Sequence, residues 1–436
     1  MKMNKLLVVL LLLASVTLTA QIDKSKYYSY GESLFSEVLE LPYSNPDSAR
    51  IVVLAKAANE SLRFQKVKDG PNFGKYFGVL EVEILFQNSD GIVKNRSKIS
   101  DTIYFKEYEQ TLSKSIFVEG TKEIIIPRGK FDIEIKFDIK DNSYLNTKKH
   151  KIDFSKKPEL YTPLLFNSQR SDVYTELQPF GLNQIISFDA QGAKMLIPAE
   201  DLEEANYTYT FTKKKDISEI ALKWDANNEV NGICNVIRNV DFGFGSAYSD
   251  VKFDLKRNKS YNVLDIDLPG IKVIPGVYSL EISKNNEKVT NFEIKIEWVS
   301  QPISLNKLPY AVEILKYIAT EQEIEKINNS DNVSEAFLEY WKEKDPTPLT
   351  PFNEALQQYF VRVDYAFFNY KTISEDDGAK TDRGKIYILK SSPNEIKEEF
   401  KDDRTLVIWT YSKQKKEYVF ELIGAGDYRL VEIKEI

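Results

Sequence analysis

Cysteine and histidine are almost missing from this chain: each occurs once, as Cys234 and His150. A single thiol closes no intrachain disulfide, so the fold must hold by core burial, even in a compartment that permits disulfides. Cys234 lies in Asn231-Gly232-Ile233-Cys234-Asn235-Val236 with no histidine near it in sequence. It reads as a small buried hydrophobe rather than a nucleophile. His150 sits in Lys148-Lys149-His150-Lys151, which reads as a basic, exposed strand start. A Ser–His or Cys–His pair would have to carry His150 to its nucleophile from a separate β region. Gly-x-Ser-x-Gly, His-Glu-x-x-His and a phosphate loop are all absent. No run of five or more like charges marks an interaction tail. Past the first twenty residues no stretch is long and apolar enough to span a bilayer. The net charge is −7, and −9 once Lys2 and Lys5 are removed with a leader, which excludes nucleic-acid binding as the main business.

What is abundant is aromatic and apolar. Tyr and Phe number 25 each, and 42% of the 436 residues are hydrophobic, enough for a sizeable core. That length accommodates two to four domains of ~100–200 residues. The N-terminus carries a positive start at Lys2 and Lys5, an aliphatic run from Leu6 to Leu13, and small and polar residues ending Thr19-Ala20 before Gln21. This is the pattern of a secretory leader, residues 1–20. No cysteine near its end supports a lipid anchor.

In residues 21–47, Leu34, Phe35, Val38, Leu39 and Leu41 have helical spacing, and Pro42 stops it. A short N-terminal helix is expected. Residues 48–156 then read as strands. Arg50 to Ala55 is one, and Val79 to Phe86 alternates before the turn Asn88-Ser89-Asp90-Gly91. After Pro127-Arg128-Gly129, Phe131, Ile133, Ile135, Phe137 and Ile139 alternate with charges, so that strand has one wet face. Residues 157–300 repeat the style, with Tyr207, Tyr209 and Phe211, then Val277 to Ile282, then Phe292, Ile294, Ile296 and Trp298. Strands broken by turns without helices indicate β-sandwiches, here two of them and Ig-like.

Helices begin after Pro302. Thr320-Glu321-Gln322-Glu323 fits a capping box. Ser334 is expected to cap a helix with Phe337, Leu338 and Trp341, and Thr350-Pro351 to start the next. That helix carries Phe352, Leu356, Tyr359, Phe360, Val363, Phe367 and Tyr370 on one face. The stretch Gly378 to Leu389 reads as a polar loop feeding a buried strand, Ile386 to Leu389. A hairpin around Lys413 to Lys416 and a last strand from Asp427 complete an α+β region, residues 301–436. The fold class is thus mainly β with an α+β C-terminal part.

The text of that last region resembles the GWxTD-domain family of exported bacterial proteins. The matching pieces are Tyr340-Trp341-Lys342, Asp345-Pro346-Thr347-Pro348 and Thr350 to Glu354. They continue with Arg362 to Ala366, Gly378 to Tyr387, Pro393 to Ile396 and Gly426 to Leu430. The β region around Leu62-Arg63-Phe64 and Tyr76-Phe77 looks like the one that often precedes this domain. Two departures stand out. Ala379 occupies the family's tryptophan position, and Lys390-Ser391-Ser392 replaces a turn richer in glycine and proline. The resemblance names a domain without implying a reaction.

Three polar or aromatic sets invite a functional reading. Asp382, Arg383, Thr381, Arg362, Asp364, Asp427 and Arg429 form a candidate polar cluster, either for acid–base work or for locking loops by arginine–carboxylate pairs. Asp376, Asp377 and Asp382 could converge on a cation, but Lys380 and Arg383 stand among them, and a solvated acidic loop is the simpler reading. Trp298, Trp341, Trp409, Tyr411, Tyr418 and Phe420 could make a sugar platform, although alternation in strands favours core pairing. The sequence therefore supports an exported protein of a Gram-negative envelope, periplasmic, outer or secreted. It is read as binding or scaffolding another envelope protein or a surface glycan, without cofactor, metal or catalytic residues. The rival readings are a hydrolase using acids of the 376–382 loop and a carbohydrate-binding protein.

Overall fold

The computed structural model describes residues 33–113, 116–140, 146–167, 177–190, 192–215, 229–247, 250–257, 261–269, 273–424 and 426–436. The leader lies outside these residues. The described chain is mostly strand, arranged as two β-sandwiches followed by an α+β region.

Sheet A joins β1 (Leu34–Leu41), β2 (Ser48–Ala58) and β6 (Phe117–Pro127). Sheet B holds β3 (Phe64–Lys66), β4 (Tyr76–Gln87), β5 (Val93–Phe105), β7 (Lys130–Phe137) and β8 (Thr147–Asp153). Sheet C holds β9 (Leu164–Asn167), β11 (Gly192–Ala199), β14 (Asn235–Ala247), β15 (Asp250–Arg257) and β16 (Tyr261–Pro269). Sheet D holds β10 (Ile185–Ser187), β12 (Tyr207–Lys215), β13 (Glu229–Ile233), β17 (Gly276–Lys284) and β18 (Glu287–Glu297).

Sheet A is buried on both faces. Ile51, Val53 and Ala55 join a core with Val82, Ile84, Ile133 and Ile135 of sheet B. Val52, Leu54, Leu39 and Leu41 join another with Phe166, Leu196, Phe242 and Phe253 of sheet C. This explains the unbroken apolar text of β2, since a strand with no wet face has no reason to alternate. It also corrects the expected N-terminal helix at Leu34 to Leu41, which is strand β1, paired antiparallel with β2 from Leu34↔Ala57 to Leu41↔Arg50. With apolar residues required on both faces, a strand imitates helical spacing.

Charged side chains lock the A–C contact. Arg50 meets Glu123 at 3.0 Å and Asp241 at 2.9 Å, and donates to the Phe242 carbonyl at 2.7 Å. Lys56 pairs with Glu119 at 2.5 Å, and Glu119 accepts from the Val251 amide at 3.3 Å. Glu37 accepts from both the backbone amide and the side-chain amide of Gln184, at 3.1 and 2.7 Å.

The C-terminal region starts with α2 (Leu308–Ile314), after a short α1 (Tyr108–Thr111) in the first sandwich. It continues with α3 (Glu321–Asn328), α4 (Val333–Lys342), α5 (Glu354–Asn369) and α6 (Asp382–Lys390). Sheet E then runs β19 (Glu395–Lys401), β20 (Arg404–Tyr411), β21 (Lys416–Gly424) and β22 (Asp427–Glu435), in that order. Thr320 and Glu323 form the expected capping box on α3. Two expected caps move. Asn332, rather than Ser334, caps α4 by accepting from the Glu335 amide. Asn353, rather than Thr350, caps α5, while its own amide group donates to the Trp341 carbonyl at 2.8 Å. One buried asparagine thus satisfies the ends of two helices.

The expected strand at Ile386 to Leu389 is the second half of α6 instead. A short apolar run does not distinguish a buried strand from a buried helix; here the N-cap at Thr381 decides. Of the expected aromatic face of α5, Leu356, Tyr359, Phe360 and Val363 are buried, while Phe352, Phe367 and Tyr370 are half-buried and Ala366 joins the buried side. Phe360 packs on Phe337 and Trp341 of α4, and Tyr370 reaches Trp409 of sheet E at 5.3 Å. Phe188 and Trp298 of the second sandwich close on Phe352 with centroids 5.5 and 5.7 Å away, joining that layer to the helices.

Candidate functional site

The segment from Asp377 to Asp382 is a chain of backbone satisfactions. Asp377 accepts from the Ala379 amide at 3.0 Å and from the Tyr310 hydroxyl at 3.1 Å. Gly378 to Lys380 form one 3₁₀ turn. Thr381 donates its hydroxyl to the Gly378 carbonyl at 2.8 Å and accepts from the Gly384 amide at 3.1 Å, capping α6. Asp382, in the first turn of α6, accepts from the Leu430 amide of β22 at 2.8 Å. A carboxylate there also suits the positive end of the helix.

The two glycines explain why this turn is possible. A Cβ on Gly378 would lie 2.2 Å from the Ala366 carbonyl oxygen at the end of α5. A Cβ on Gly384 would lie 1.9 Å from the Gly378 carbonyl oxygen. The end of α5, the 3₁₀ turn and the start of α6 therefore meet backbone to backbone. Ala379 is fully buried in the turn, and its carbonyl accepts from Tyr317 at 2.9 Å. Ser391, just after α6, has φ of +69°, a conformation that suits the glycine of a richer turn better than it suits serine.

The remaining members of the polar cluster go elsewhere. Asp364, on α5, accepts from the amides of Ile303 and Ser304 at 2.6 and 2.9 Å. Arg362 donates to the Ile388 carbonyl and to Gln358. Arg383 stacks its guanidinium 3.8 Å from the Tyr428 ring centroid and 5.5 Å from that of Tyr370. Asp427 accepts from Ser374. Arg429 is exposed on β22. The structure brings Thr381, Asp382 and Arg383 together with β22, but the described contacts hold no arginine–carboxylate pair among the seven. The Tyr428 ring was not foreseen as the partner of Arg383. The glycine pair six residues apart was the sequence signal for the close approach.

Environment shifts several groups. Burial raises Asp377 above the usual carboxylate range, outweighing its hydrogen bonds with Ala379 and Tyr310. Burial also raises Tyr310 and lowers Arg383. Hydrogen bonds from Ser374 and Thr372 lower Asp427. Lys380 pairs with Glu313 at 2.7 Å, which raises its pKa. Asp376 is exposed. Among the described residues no group of three or more His, Cys, Asp or Glu is placed to hold a metal ion.

The other candidates are structural in placement. Cys234 is buried, and burial pushes its thiol up to about 12. His150 is half-buried within β8 instead of at an exposed strand start, and its Nε2 lies 2.8 Å from the Ser36 hydroxyl. Ser36 is itself 3% exposed, so this contact ties β1 to β8 and offers its oxygen no approach for a substrate. Trp341, Trp409, Tyr411, Tyr418 and Phe420 are buried, and Trp298 lies in the aromatic contact with Phe188 and Phe352. A groove of about 540 Å³ opens over β4, β5 and β7, lined by residues that include Glu81, Arg96, Lys98 and Asp138. Lys98 and Arg96 are paired there with Glu81 and Glu83. No member of the polar cluster reaches it.

Residues 276–425 match the model of the GWxTD domain. The match begins at β17, so it includes the last hairpin of the second sandwich as well as most of the α+β region. No curated protein matches the chain. Among solved structures, the Yersinia pseudotuberculosis adhesin InvE is 12% identical over 60% of this chain and 58% of its own, with a TM-score of 0.13. Domains 4–9 of the surface layer protein SbsC are 10% identical over 61% of this chain and 31% of their own, with a TM-score of 0.14. The chain thus spans less than two thirds of either. Among the described residues no helix is long and apolar enough to cross a membrane.

Proposed function

Because the C-terminal part of the chain carries a GWxTD domain, we propose that this domain works here as a non-catalytic binding or scaffolding module of an exported envelope protein. The observation that carries the reading is the use made of the motif's acids. Asp364 gives both carboxylate oxygens to backbone amides, and Asp377 and Asp382 give one oxygen each. A carboxylate that closes a helix or a turn is held by the fold, and it is a poor candidate for proton transfer to a substrate. Layers joined by buried charge and aromatic contacts suit a part that must hold its geometry against a partner. The leader pattern at Lys2 to Ala20 supports export. The partner is another envelope protein or a surface glycan.

Crosslinking in intact envelopes, followed by purification of the chain and its adducts, tests the reading. The expected result is a discrete protein or glycan adduct, on a chain whose N-terminus begins at Gln21 or within a few residues. Recovery of intact Met1 protein in the cytoplasm would overturn the export assignment. A hydrolytic activity lost in Asp382→Asn or Asp377→Asn, with thermal stability unchanged, would overturn the non-catalytic one.

A further inference from the structure

Strand β19, Glu395-Ile396-Lys397-Glu398-Glu399-Phe400-Lys401, is the edge of sheet E, and all seven of its residues are exposed. Its inner edge pairs with β20, from Glu395↔Thr410 to Lys401↔Arg404. Its outer edge meets no strand among the described residues. Ile396 and Phe400 are 56% and 75% exposed, although Ile396 lies opposite the buried Trp409 and shares its face of the sheet. Edges of this kind are usually blunted, because free N–H and C=O groups invite a second strand. Here the sequence of the edge is complementary to itself.

We propose that β19 pairs antiparallel with β19 of a second copy, about a two-fold axis through Glu398, joining two sheets E into one continuous eight-stranded sheet. In that register Glu395 faces Lys401 and Lys397 faces Glu399, each contact occurring twice. Ile396 faces Phe400 on the other face of the sheet. Opposite charges and apolar pairs directly across strands are the contacts that stabilise a sheet. The one unfavourable contact is Glu398 against itself on the axis. Sliding the strands by two residues, the smallest slip that keeps the faces matched, is worse in both directions. One slip sets Lys397 opposite itself and Glu395 opposite Glu399. The other sets Glu399 opposite itself and Lys397 opposite Lys401. The charges therefore select one register of a closed, isologous dimer.

Sedimentation of the mature chain across a concentration series tests the proposal, together with an introduced thiol. Cys234 is buried, so a cysteine placed on β19 is the reactive one. On the axis, Glu398→Cys stands roughly 4.5–5.5 Å from its own copy between Cα atoms, within disulfide reach. Glu395→Cys stands ~20 Å from its own copy. The expected result is reversible dimerisation, rapid disulfide dimers of Glu398→Cys and none of Glu395→Cys. Lys397→Glu should weaken the dimer at least tenfold, and Lys397→Glu with Glu399→Lys should restore it. A chain that stays monomeric at every concentration overturns the proposal. So does a dimer indifferent to both charge variants, or equal crosslinking at positions 395 and 398.

Discussion

Gly378 and Gly384 meet back to back: a Cβ on Gly384 would come within 1.9 Å of the Gly378 carbonyl oxygen. No rotamer change relieves that clash, because the obstructing atom is backbone. Gly378→Ala must therefore push the 3₁₀ turn away from the end of α5, and Gly384→Ala must push α6 away from that turn, each at a cost of about 3 kcal/mol or more, the upper end for overpacking. Urea denaturation measures the loss. A change of less than about 1 kcal/mol in either variant would show that the turn can shift freely, and would remove the structural account of the two glycines.

Asp382 and Arg383 fasten the same turn to β22 by different means. Asp382→Ala removes a charged acceptor from the Leu430 amide, expected to cost about 1.5–3 kcal/mol. Asp382→Asn keeps an acceptor oxygen and should cost clearly less. Arg383→Ala loses its stack on Tyr428, worth about 0.5–2 kcal/mol. Thermal melts of the three variants give the ranking. Equal losses for Asp382→Ala and Asp382→Asn would show that the charge, rather than the amide contact, is what counts.

Phe360 is fully buried against Phe337, Trp341 and Tyr359. Phe360→Ala should cost about 3–5 kcal/mol through lost burial and the cavity left behind. The denaturant midpoint reads this directly. A small effect would mean that α4 and α5 close the gap.

The sequence was most legible where a strand has one wet face or a helix one apolar stripe. Alternation in β7 reported burial faithfully, and the aromatic spacing of α5 did so from Leu356 to Val363. It was least legible where a segment is buried on two sides. Strand β1 carries Leu34 toward sheet B and Leu39 and Leu41 toward sheet C, so its apolar residues mimic a helix. Strand β19 was hidden for the opposite reason, since it buries nothing and leaves no apolar period. In the polar cluster, residue types alone suggested arginine–carboxylate pairs. The structure gives Asp364 and Asp382 to amides, Asp427 to a serine hydroxyl and Arg383 to a tyrosine ring, because helix starts and strand ends supply unsatisfied donors close by.

The last expectation concerns Glu37, which is 5% exposed between β1 and the Asn183–Gln184 turn. Burial raises its pKa, although the bonds from Gln184 and Asn183 pull the other way. In the unfolded chain the same group titrates near the ordinary value of about 4.3. The folded state therefore holds this proton more tightly than the unfolded one. The resulting stability is complete below about pH 4 and is lost as pH rises through the raised folded value. Glu37→Gln removes the charge and keeps an oxygen that can accept from both Gln184 groups. The variant should melt above the wild type at pH 7, and the gap should close as pH falls toward 4. Glu40, also raised by burial, is present in both proteins and leaves the difference untouched. Paired thermal melts between pH 4 and 7.5 measure that gap. A Glu37→Gln protein less stable than wild type at pH 7 would mean that the ionised carboxylate holds the Gln184 turn and that burial is the weaker influence.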